Sequence, residues 1–187
     1  QDSGSKMHAN IAIDAMRSME KSLRQYRDLP QPIVDTGPVR IQPEDLIRAT
    51  LDLIRGHQDV STCQLEFQSH SSTFCYLIDL AIQNAVINLV LNAAQACGPG
   101  GRIEVMVAQT ANQLILEVHD DGPGIERAMR EPIFKPFITT KPSGSGMGLA
   151  AVQACAEIHG GIAEVGESPL GGACFRLLLP LRDNAVL

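Results

Sequence analysis

The stretches VHDDGPGI at residues 118–125 and GSGMGL at residues 144–149 decide how this chain is expected to fold. In the first, an apolar strand end meets Asp120 and then two glycines separated by one residue. In the second, three alternating glycines run directly into an alanine-rich helix. Alternating glycines let the backbone approach a ligand with its amides exposed, and a helix start adds a positive dipole end. The second loop therefore predicts a phosphate site, and Asp120 predicts an acceptor for an exocyclic amine such as that of adenine.

A helical run, NAVINLVLNAAQA at residues 84–96, supports this interpretation. Support is needed because either glycine loop alone is also typical of ordinary hairpins and helix caps. The asparagines of the helical run, at positions 84, 88 and 92, lie on one face of the helix because they are spaced four residues apart. Asparagine is a poor helix former, and its amide oxygen can ligate a hard cation such as Mg²⁺. A polar stripe facing solvent is the alternative.

Composition sets the broad class of protein. The chain has 187 residues, 44% of them hydrophobic, and a formal net charge of -6. This length fits one buried domain plus an appendage, and no cluster of lysine or arginine supports nucleic-acid binding. No apolar run approaches the length of a membrane span, which predicts a soluble piece. The five scattered cysteines include no Cys-x-x-Cys pair and are interpreted as reduced core residues.

Periodicity and turn signals divide the chain into segments. Residues 1–6 are small and polar and are interpreted as a frayed end or a remnant of cloning. Residues 7–37 contain an amphipathic helix at 9–29 followed by a proline-containing linker, and residues 38–187 form the main domain. Within it we predict helices at 43–55, 79–97 and 149–159, and strands at 39–41, 63–68, 74–78, 102–108, 113–119, 162–166 and 174–179.

This order of elements predicts an α/β sandwich of the α+β type. One mixed, largely antiparallel sheet is expected, covered on one face by three helices, with the N-terminal amphipathic helix outside it. The fold is not doubly wound, because the strands come in adjacent hairpins.

Four segments, taken in order, resemble the asparagine, first glycine, phenylalanine and second glycine boxes of sensor histidine kinase catalytic domains, which belong to the GHKL ATP-binding superfamily. They are NAAQA at 92–96, DDGPGI at 120–125, IFKPFITTK at 133–141 and GSGMGL at 144–149. The resemblance covers roughly residues 38–181 and implies the Bergerat ATP-binding fold. The short interval between Gly124 and Gly144 looks most like the nitrogen-regulatory type, with a short ATP lid.

The resemblance implies a set of site residues. Asn92 would ligate magnesium, with Asn88 one turn earlier as a further magnesium ligand facing the phosphates, and Asp120 would bind the adenine amine. Lys141 would reach a phosphate oxygen as a point charge, unless it is simply a solvated lid lysine. Phe134 and Phe137 would anchor the lid, although plain core packing explains them equally well. The other residues assigned to ATP or its lid are Gly122, Gly124, Ile125, Thr140, Gly144, Ser145, Gly146, Met147, Gly148 and Leu149.

The identity of residue 88 separates two reaction types. In the gyrase and mismatch-repair ATPases of the superfamily a glutamate at this place activates water, whereas the amide of Asn88 cannot take a proton at neutral pH. Slow hydrolysis is therefore expected, and phosphoryl transfer to a separate nucleophile remains. The resemblance thus implies a protein-histidine kinase that uses Mg-ATP, with Asn88 as its catalytic residue.

Two departures from the family pattern limit this expectation. The acceptor box, His-Glu followed by an apolar residue and a nearby proline, is absent, and His8 lacks that context. Residues 7–37 then resemble the second helix of a dimerisation hairpin, with the acceptor histidine outside this chain. Ala173 stands where relatives often carry a threonine that helps to hold adenine. The remaining histidines lack a partner cluster and are interpreted as structural or surface residues: His57, His70, His119 and His159.

Three functions remain open at this point. The leading one is the catalytic part of a two-component sensor kinase, cytoplasmic by itself or as the cytoplasmic part of a membrane-bound sensor. Its expected partners are ATP or ADP, a dimerisation and phosphotransfer segment, a response regulator receiver domain and, in the full-length protein, a second copy. A nucleotide-binding regulatory module without transfer is the second, and a protein serine kinase of the same superfamily is the third.

Overall fold

The computed structural model describes residues 37–71, 74–141 and 144–181. The predictions for residues 1–36, including the amphipathic helix and His8, lie outside the described residues. Every helix and strand predicted within them is present, with ends within two residues of the prediction. The helices are α1 (Pro43–Ile54), α2 (Asp79–Cys97) and α3 (Gly148–Ile158), and the strands are β1 (Val39–Ile41), β2 (Gln64–His70), β3 (Cys75–Leu77), β4 (Arg102–Gln109), β5 (Gln113–Asp120), β6 (Ile162–Glu167) and β7 (Ala173–Pro180).

The main sheet has five strands in the order β2-β4-β5-β7-β6. Only β2 and β4 are parallel; the other neighbours are antiparallel. A parallel pair needs a crossover connection, which the segment containing α2 supplies between β2 and β4. The sheet is therefore mixed and largely antiparallel, as predicted.

Two of the predicted strands lie outside the main sheet. Strands β1 and β3 pair antiparallel with each other, with Arg40 opposite Tyr76, and form a separate two-stranded sheet. Both strands have three residues, and they lie just before α1 and α2.

The core lies between one face of the main sheet and the three helices. Val105, Val118 and Phe175 pair in register across β4, β5 and β7 and are at most 1% exposed. α2 packs against both α1 and α3 over this face. Since successive strand residues point to opposite faces, the residues between them form a second, more polar face. Burial of the apolar row fixes which residues end up on each face.

α2 also corrects one expectation from the sequence. The helix has 19 residues and a mean hydropathy of 1.3 over its most apolar window. By length and composition alone it is therefore long and apolar enough to cross a membrane. Such a helix is equally typical of a protein core. Its buried residues, among them Val86, Leu89 and Val90, pack in the core cluster of this domain.

The five cysteines are all free. Cys75, Cys155 and Cys174 are buried, as expected, whereas Cys63 and Cys97 are partly exposed. Burial raises the pKa of Cys75 to about 11 and that of Cys155 to about 12, so these thiols stay protonated at neutral pH.

Candidate functional site

Asp120 ends β5 and is only 2% exposed. Its Oδ1 accepts hydrogen bonds from the backbone N–H groups of Gly122 and Ala173, each at 3.0 Å. Its carbonyl oxygen accepts a third, from the N–H of Gly172 at 3.1 Å. A Cβ atom at Gly172 would lie 2.2 Å from Oδ1, so only glycine lets the turn before β7 come this close. The loops after β5 and before β7 therefore hold the carboxylate in one orientation.

The other carboxylate oxygen of Asp120 is available to a donor from outside the chain. Both backbone donors end on Oδ1, and no described residue donates to Oδ2. Burial raises the pKa of Asp120, while the N–H groups of Ala173 and Gly122 oppose that rise. In its ionised form the carboxylate is an acceptor only, so it selects a ligand that presents an N–H, such as an exocyclic amine.

The loop that follows Asp120 lies against the last turn of α2. A Cβ atom at Gly122 would come within 3.1 Å of the Cβ of Ala96, and Gly124 has a φ of +73°, which favours glycine. The backbone conformation thus favours glycine at Gly124, and a Cβ at Gly122 would press on Ala96 and Asp120. Ala96 lies one turn beyond Asn92, so this loop places Asp120 near the asparagine face of α2.

The second glycine loop meets the same helix about two turns earlier, at Asn88. The Nδ2 of Asn88 donates to the carbonyl of Asn84 at 2.9 Å. Its Oδ1 faces the first residue of α3, because a Cβ atom at Gly148 would lie 2.9 Å from it. Asn84 is exposed, whereas Asn88 and Asn92 are partly buried. The asparagine stripe therefore faces solvent at Asn84 and the start of α3 at Asn88.

Lys141 connects the segment between the two glycine loops to α2. Its Nζ donates to Oδ1 of Asn92 at 2.6 Å and to Oε1 of Gln95 at 2.9 Å. The amide of Gln95 in turn donates to Asp59 at 3.1 Å. Burial lowers the pKa of Lys141, and the negative charges of Asp59 and Asp120 oppose that change. The lid lysine thus lies beside the amide oxygen that was predicted to hold magnesium.

The two phenylalanines of the lid behave differently. The ring of Phe134 is buried and meets Phe175 edge to face, with centroids 6.2 Å apart. Phe137 is 63% exposed and has a φ of +66°. Its N–H donates to the carbonyl of Gly146 at 3.0 Å, and a Cβ at Gly146 would lie 2.5 Å from the carbonyl carbon of Phe137. Phe137 therefore holds the second loop through its backbone and not through its ring, contrary to expectation.

The remaining predicted residues shape the lid or its surroundings. A Cβ at Gly144 would lie 2.4 Å from the hydroxyl oxygen of Thr139, so another residue here would displace that side chain. The hydroxyl of Ser145 accepts a hydrogen bond from the N–H of Met147 at 3.3 Å. Ile125 and Leu149 are partly buried and pack against the core, whereas Thr140 is exposed.

Three segments distant in sequence thus converge on one side of the molecule. Asp120 offers a carboxylate oxygen, Asn88 and Asn92 offer amide oxygens suited to a hard cation, and the glycines expose backbone amides. Gly122 and Gly148 both stand where a side chain would strike this group. These groups together fit a purine nucleotide with magnesium, and the roles of the individual residues remain predictions.

Two histidines have partners that the sequence did not reveal. The Nε2 of His159 accepts a hydrogen bond from the N–H of Ile78 at 3.0 Å, which joins the end of α3 to the start of α2. The Nε2 of His119 lies 3.4 Å from Glu117 Oε2 and 3.8 Å from the sulfur of Cys174. His159 is structural, as predicted, whereas the prediction that His119 lacks a partner cluster is wrong.

Sequence reasoning also missed two residues of the site. Gln95 contacts Lys141, and a usable signal existed, because Gln95 follows Asn92 by three residues and therefore lies on the same helix face. Gly172 packs on Asp120, but in the sequence it was visible only as part of a turn. No local pattern links residue 172 to residue 120, since the two meet only through the pairing of β5 with β7.

This fold and this arrangement of loops are those of histidine kinase catalytic domains of the GHKL superfamily. The chain belongs to the family of histidine kinase-, DNA gyrase B-, and HSP90-like ATPases, whose model matches residues 78–183.

Similar proteins place it further among the kinases. The sensor histidine kinase ZraS of Escherichia coli is 35% identical over 137 residues, which is 73% of this chain and 30% of ZraS. The nitrogen regulation protein NtrY of Azorhizobium caulinodans is 29% identical over 170 residues, which is 86% of this chain and 21% of NtrY. The chain thus spans less than a third of these relatives.

A solved structure agrees with this placement. The catalytic domain of the histidine kinase ThkA superposes with a TM-score of 0.71 at 27% identity, covering 77% of this chain and 95% of that domain. ThkA has also been solved in complex with the response regulator protein TrrA, a match with a TM-score of 0.68 and 20% identity that covers 95% of this chain and 61% of that one.

Proposed function

We propose that this chain is the catalytic ATP-binding portion of a two-component sensor histidine kinase, and that it transfers the γ-phosphoryl group of Mg-ATP to a histidine of a dimerisation segment. The observation that carries the proposal is the convergence of Asp120, the asparagine face of α2 and the second glycine loop. Family membership supports the nucleotide, and the names of the relatives support the reaction class.

Asp120 recognises the base in this proposal. Its Oδ1 is occupied by two backbone N–H groups, so Oδ2 accepts the hydrogen bond from the adenine amine. Because Gly172 and Gly122 pack directly on the carboxylate, it cannot rotate away. The carboxylate is therefore oriented before the nucleotide arrives, which lowers the entropy cost of binding.

Asn88 and Asn92 hold magnesium, and the amides of the second glycine loop receive the phosphates. Bound Mg²⁺ neutralises phosphate charge, which favours attack on the γ-phosphoryl group. The Nζ of Lys141 donates to the oxygen of Asn92 that is proposed to ligate Mg²⁺. When the metal takes that oxygen, the flexible side chain would move its positive charge to a phosphate oxygen.

Asn88 favours transfer over hydrolysis. Its amide donates to the carbonyl of Asn84 and its oxygen faces Gly148, so it offers no base to an attacking water. The nucleophile must then come from a partner, and the resemblance to sensor kinases makes that partner a histidine. A response regulator receiver domain is the proposed downstream acceptor, by analogy with the ThkA complex.

The proposal is tested by thermal unfolding of the chain with ADP, with and without Mg²⁺. Ligand that binds only the folded state stabilises it by about 2.7 kcal/mol at a hundredfold excess over Kd. We expect the magnesium-dependent part of the shift to vanish in Asn92→Ala. Asn84→Ala is the matched control, because it removes an exposed asparagine from the same helix.

Transfer is tested separately with labelled ATP and a supplied dimerisation segment from a related sensor kinase. An acid-labile phosphate on the segment supports histidine transfer. An acid-stable phosphate would instead identify a serine kinase. Nucleotide binding with no transfer to any supplied histidine would favour a regulatory module and overturn the enzymatic part of the proposal.

A further inference from the structure

A second group of ligand atoms lies on the polar face of the main sheet, opposite the helices. His119 and Cys174 are directly opposite each other across β5 and β7. Glu117 precedes His119 by two residues and so projects from the same face. One nitrogen, one sulfur and one carboxylate oxygen from these residues all lie within 4.8 Å of one another. This group is separate from the residues assigned to the nucleotide.

The spacing of these atoms is close to that of a metal site. The Nε2 of His119 is 3.4 Å from Glu117 Oε2 and 3.8 Å from the sulfur of Cys174, and that sulfur is 4.0 Å from Glu117 Oε1. Zinc bonds of about 2.0–2.3 Å in a tetrahedron place neighbouring ligand atoms about 3.3–3.6 Å apart. The contacts of Glu117 with His119 and with Cys174 use different carboxylate oxygens, so the Glu117 side chain must rotate to bring one oxygen, the imidazole nitrogen and the sulfur onto one ion.

Hydrogen bonding alone satisfies this group poorly. His119 is 4% exposed, and its Nδ1 is the one buried side-chain polar atom without a hydrogen bond in the described ranges. If Nδ1 carries the proton, the lone pair of Nε2 points at a carboxylate and a weakly donating thiol. If Nε2 carries it, its contact with Glu117 is long. A cation at the centre would take the lone pair of Nε2 in the first tautomer, together with those of the sulfur and the carboxylate, while the N–H of Nδ1 would stay without a described partner.

The surroundings favour a cation and orient one of its ligands. Arg176 donates through Nε to Oε1 of Glu117, which leaves Oε2 directed at His119. Hydrogen bonds to the second oxygen of a ligating carboxylate are typical of metal sites. Glu104 lies directly opposite His119 on β4, and Glu164 contacts Arg176 from β6. Glu104 and Glu164 thus add two negative charges on the same face of the sheet as Glu117.

We propose that Glu117, His119 and Cys174 bind one Zn²⁺ ion, with water as the fourth ligand. The mixed nitrogen, sulfur and oxygen set suits zinc and disfavours magnesium, which requires oxygen ligands. Glu117 has 22% of its side chain exposed, which provides a path for the ion and for the water.

Binding has a defined proton balance. Burial raises the pKa of Cys174 to about 11, so the metal-free thiol is protonated at neutral pH. Coordination replaces the S–H bond with an S–Zn bond, and the proton leaves to solvent. The ion would join β5 to β7 one residue away from Asp120 and Ala173, whose hydrogen bond holds the carboxylate of the nucleotide site.

The test uses the purified chain, freed of metal by chelation and titrated with Co²⁺ as a spectroscopic probe. One equivalent should produce a thiolate-to-cobalt charge-transfer band, and added Zn²⁺ should remove it. Equilibrium dialysis should find one zinc per chain. Absence of the band together with no stoichiometric zinc overturns the proposal, whatever the nucleotide response of the same sample.

Variants locate the site. Cys174→Ser should abolish the band, and His119→Gln should weaken cobalt binding at least tenfold. Cys155→Ser is the matched control, because it changes another buried thiol, in α3, and should leave the band intact. A band that survives in Cys174→Ser, or that disappears in Cys155→Ser alone, overturns the assignment. If Cys174→Ser fails to fold, as judged by circular dichroism, His119→Gln and the wild-type titration still decide.

Discussion

The substitution Asp120→Asn separates the recognition role of this carboxylate from its structural role. The two backbone N–H groups of Gly122 and Ala173 both donate to one oxygen of the side chain. An asparagine placed there will turn its oxygen toward these donors. Its NH₂ group then occupies the position of Oδ2 and meets the adenine amine donor to donor.

The expected loss follows from this geometry. A hydrogen bond to a charged group contributes about 1.5–3 kcal/mol, and the variant loses it entirely. At 1.4 kcal/mol per factor of ten, affinity for ADP should fall roughly 10- to 150-fold. The free energy of unfolding of the variant should not fall together with its affinity for ADP. Burial raises the pKa of Asp120, so the ionised group costs the folded state free energy that a neutral amide does not.

The assay is calorimetric titration with ADP and Mg²⁺, combined with thermal unfolding of each protein without nucleotide. Asp121→Asn is the matched control, since it makes the same chemical change one residue further on. Asp121 is exposed, and its Oδ1 accepts the N–H of Arg102 at 2.9 Å. Its variant should bind ADP like the unaltered chain.

Two results would refute this reasoning. Equal ADP affinity in Asp120→Asn and the unaltered chain would mean that Oδ2 does not contact the base. A large drop in the unfolding midpoint of Asp120→Asn would mean that the carboxylate charge stabilises the fold, contrary to its burial.

Further outcomes can be measured on the same protein. Gly172→Ala should lose about 1–3 kcal/mol of unfolding free energy in urea, because its Cβ would strike Asp120, whereas Gly56→Ala, with open space around it, should be neutral. Affinity for ADP should fall as the pH is lowered from neutrality, because the ionised form of Asp120 is the acceptor. Since the pKa of Asp120 is raised, the fall should begin at a higher pH than for an ordinary aspartate. Titration calorimetry across pH measures this, and an ADP affinity that does not change over that range contradicts it. Lys141→Ala should speed limited proteolysis of the lid roughly tenfold, since it removes a charged hydrogen bond to Asn92; an unchanged cleavage rate would show that this contact does not restrain the lid.

The elements of the fold were predictable because their signals are local. The asparagine helix, the two hairpins and the proline-started helix at Pro43 are each specified by periodicity, turn residues or caps. The glycines at 122 and 148 were also visible, since a backbone that must approach another group leaves a glycine in the sequence. Their partners were not visible.

The pairing of strands required the tertiary structure. Nothing local states that β2 runs parallel to β4, or that β1 and β3 leave the main sheet. The same holds for the ring of Phe137, which the sequence placed with Phe134 but which the backbone of the lid turns outward.

By itself, the sequence determined the family, through the resemblance of its four boxes to those of known kinases. It also determined the layer architecture and the residue types of the proposed nucleotide site, because these follow from local spacing and composition. Only the tertiary structure decided that Gly172 packs on Asp120, that Lys141 reaches Asn92, and that His119 lies beside Cys174. Each of these pairs is separated by about 50 residues, and only packing of the strands, helices and lid into one core brings them into contact.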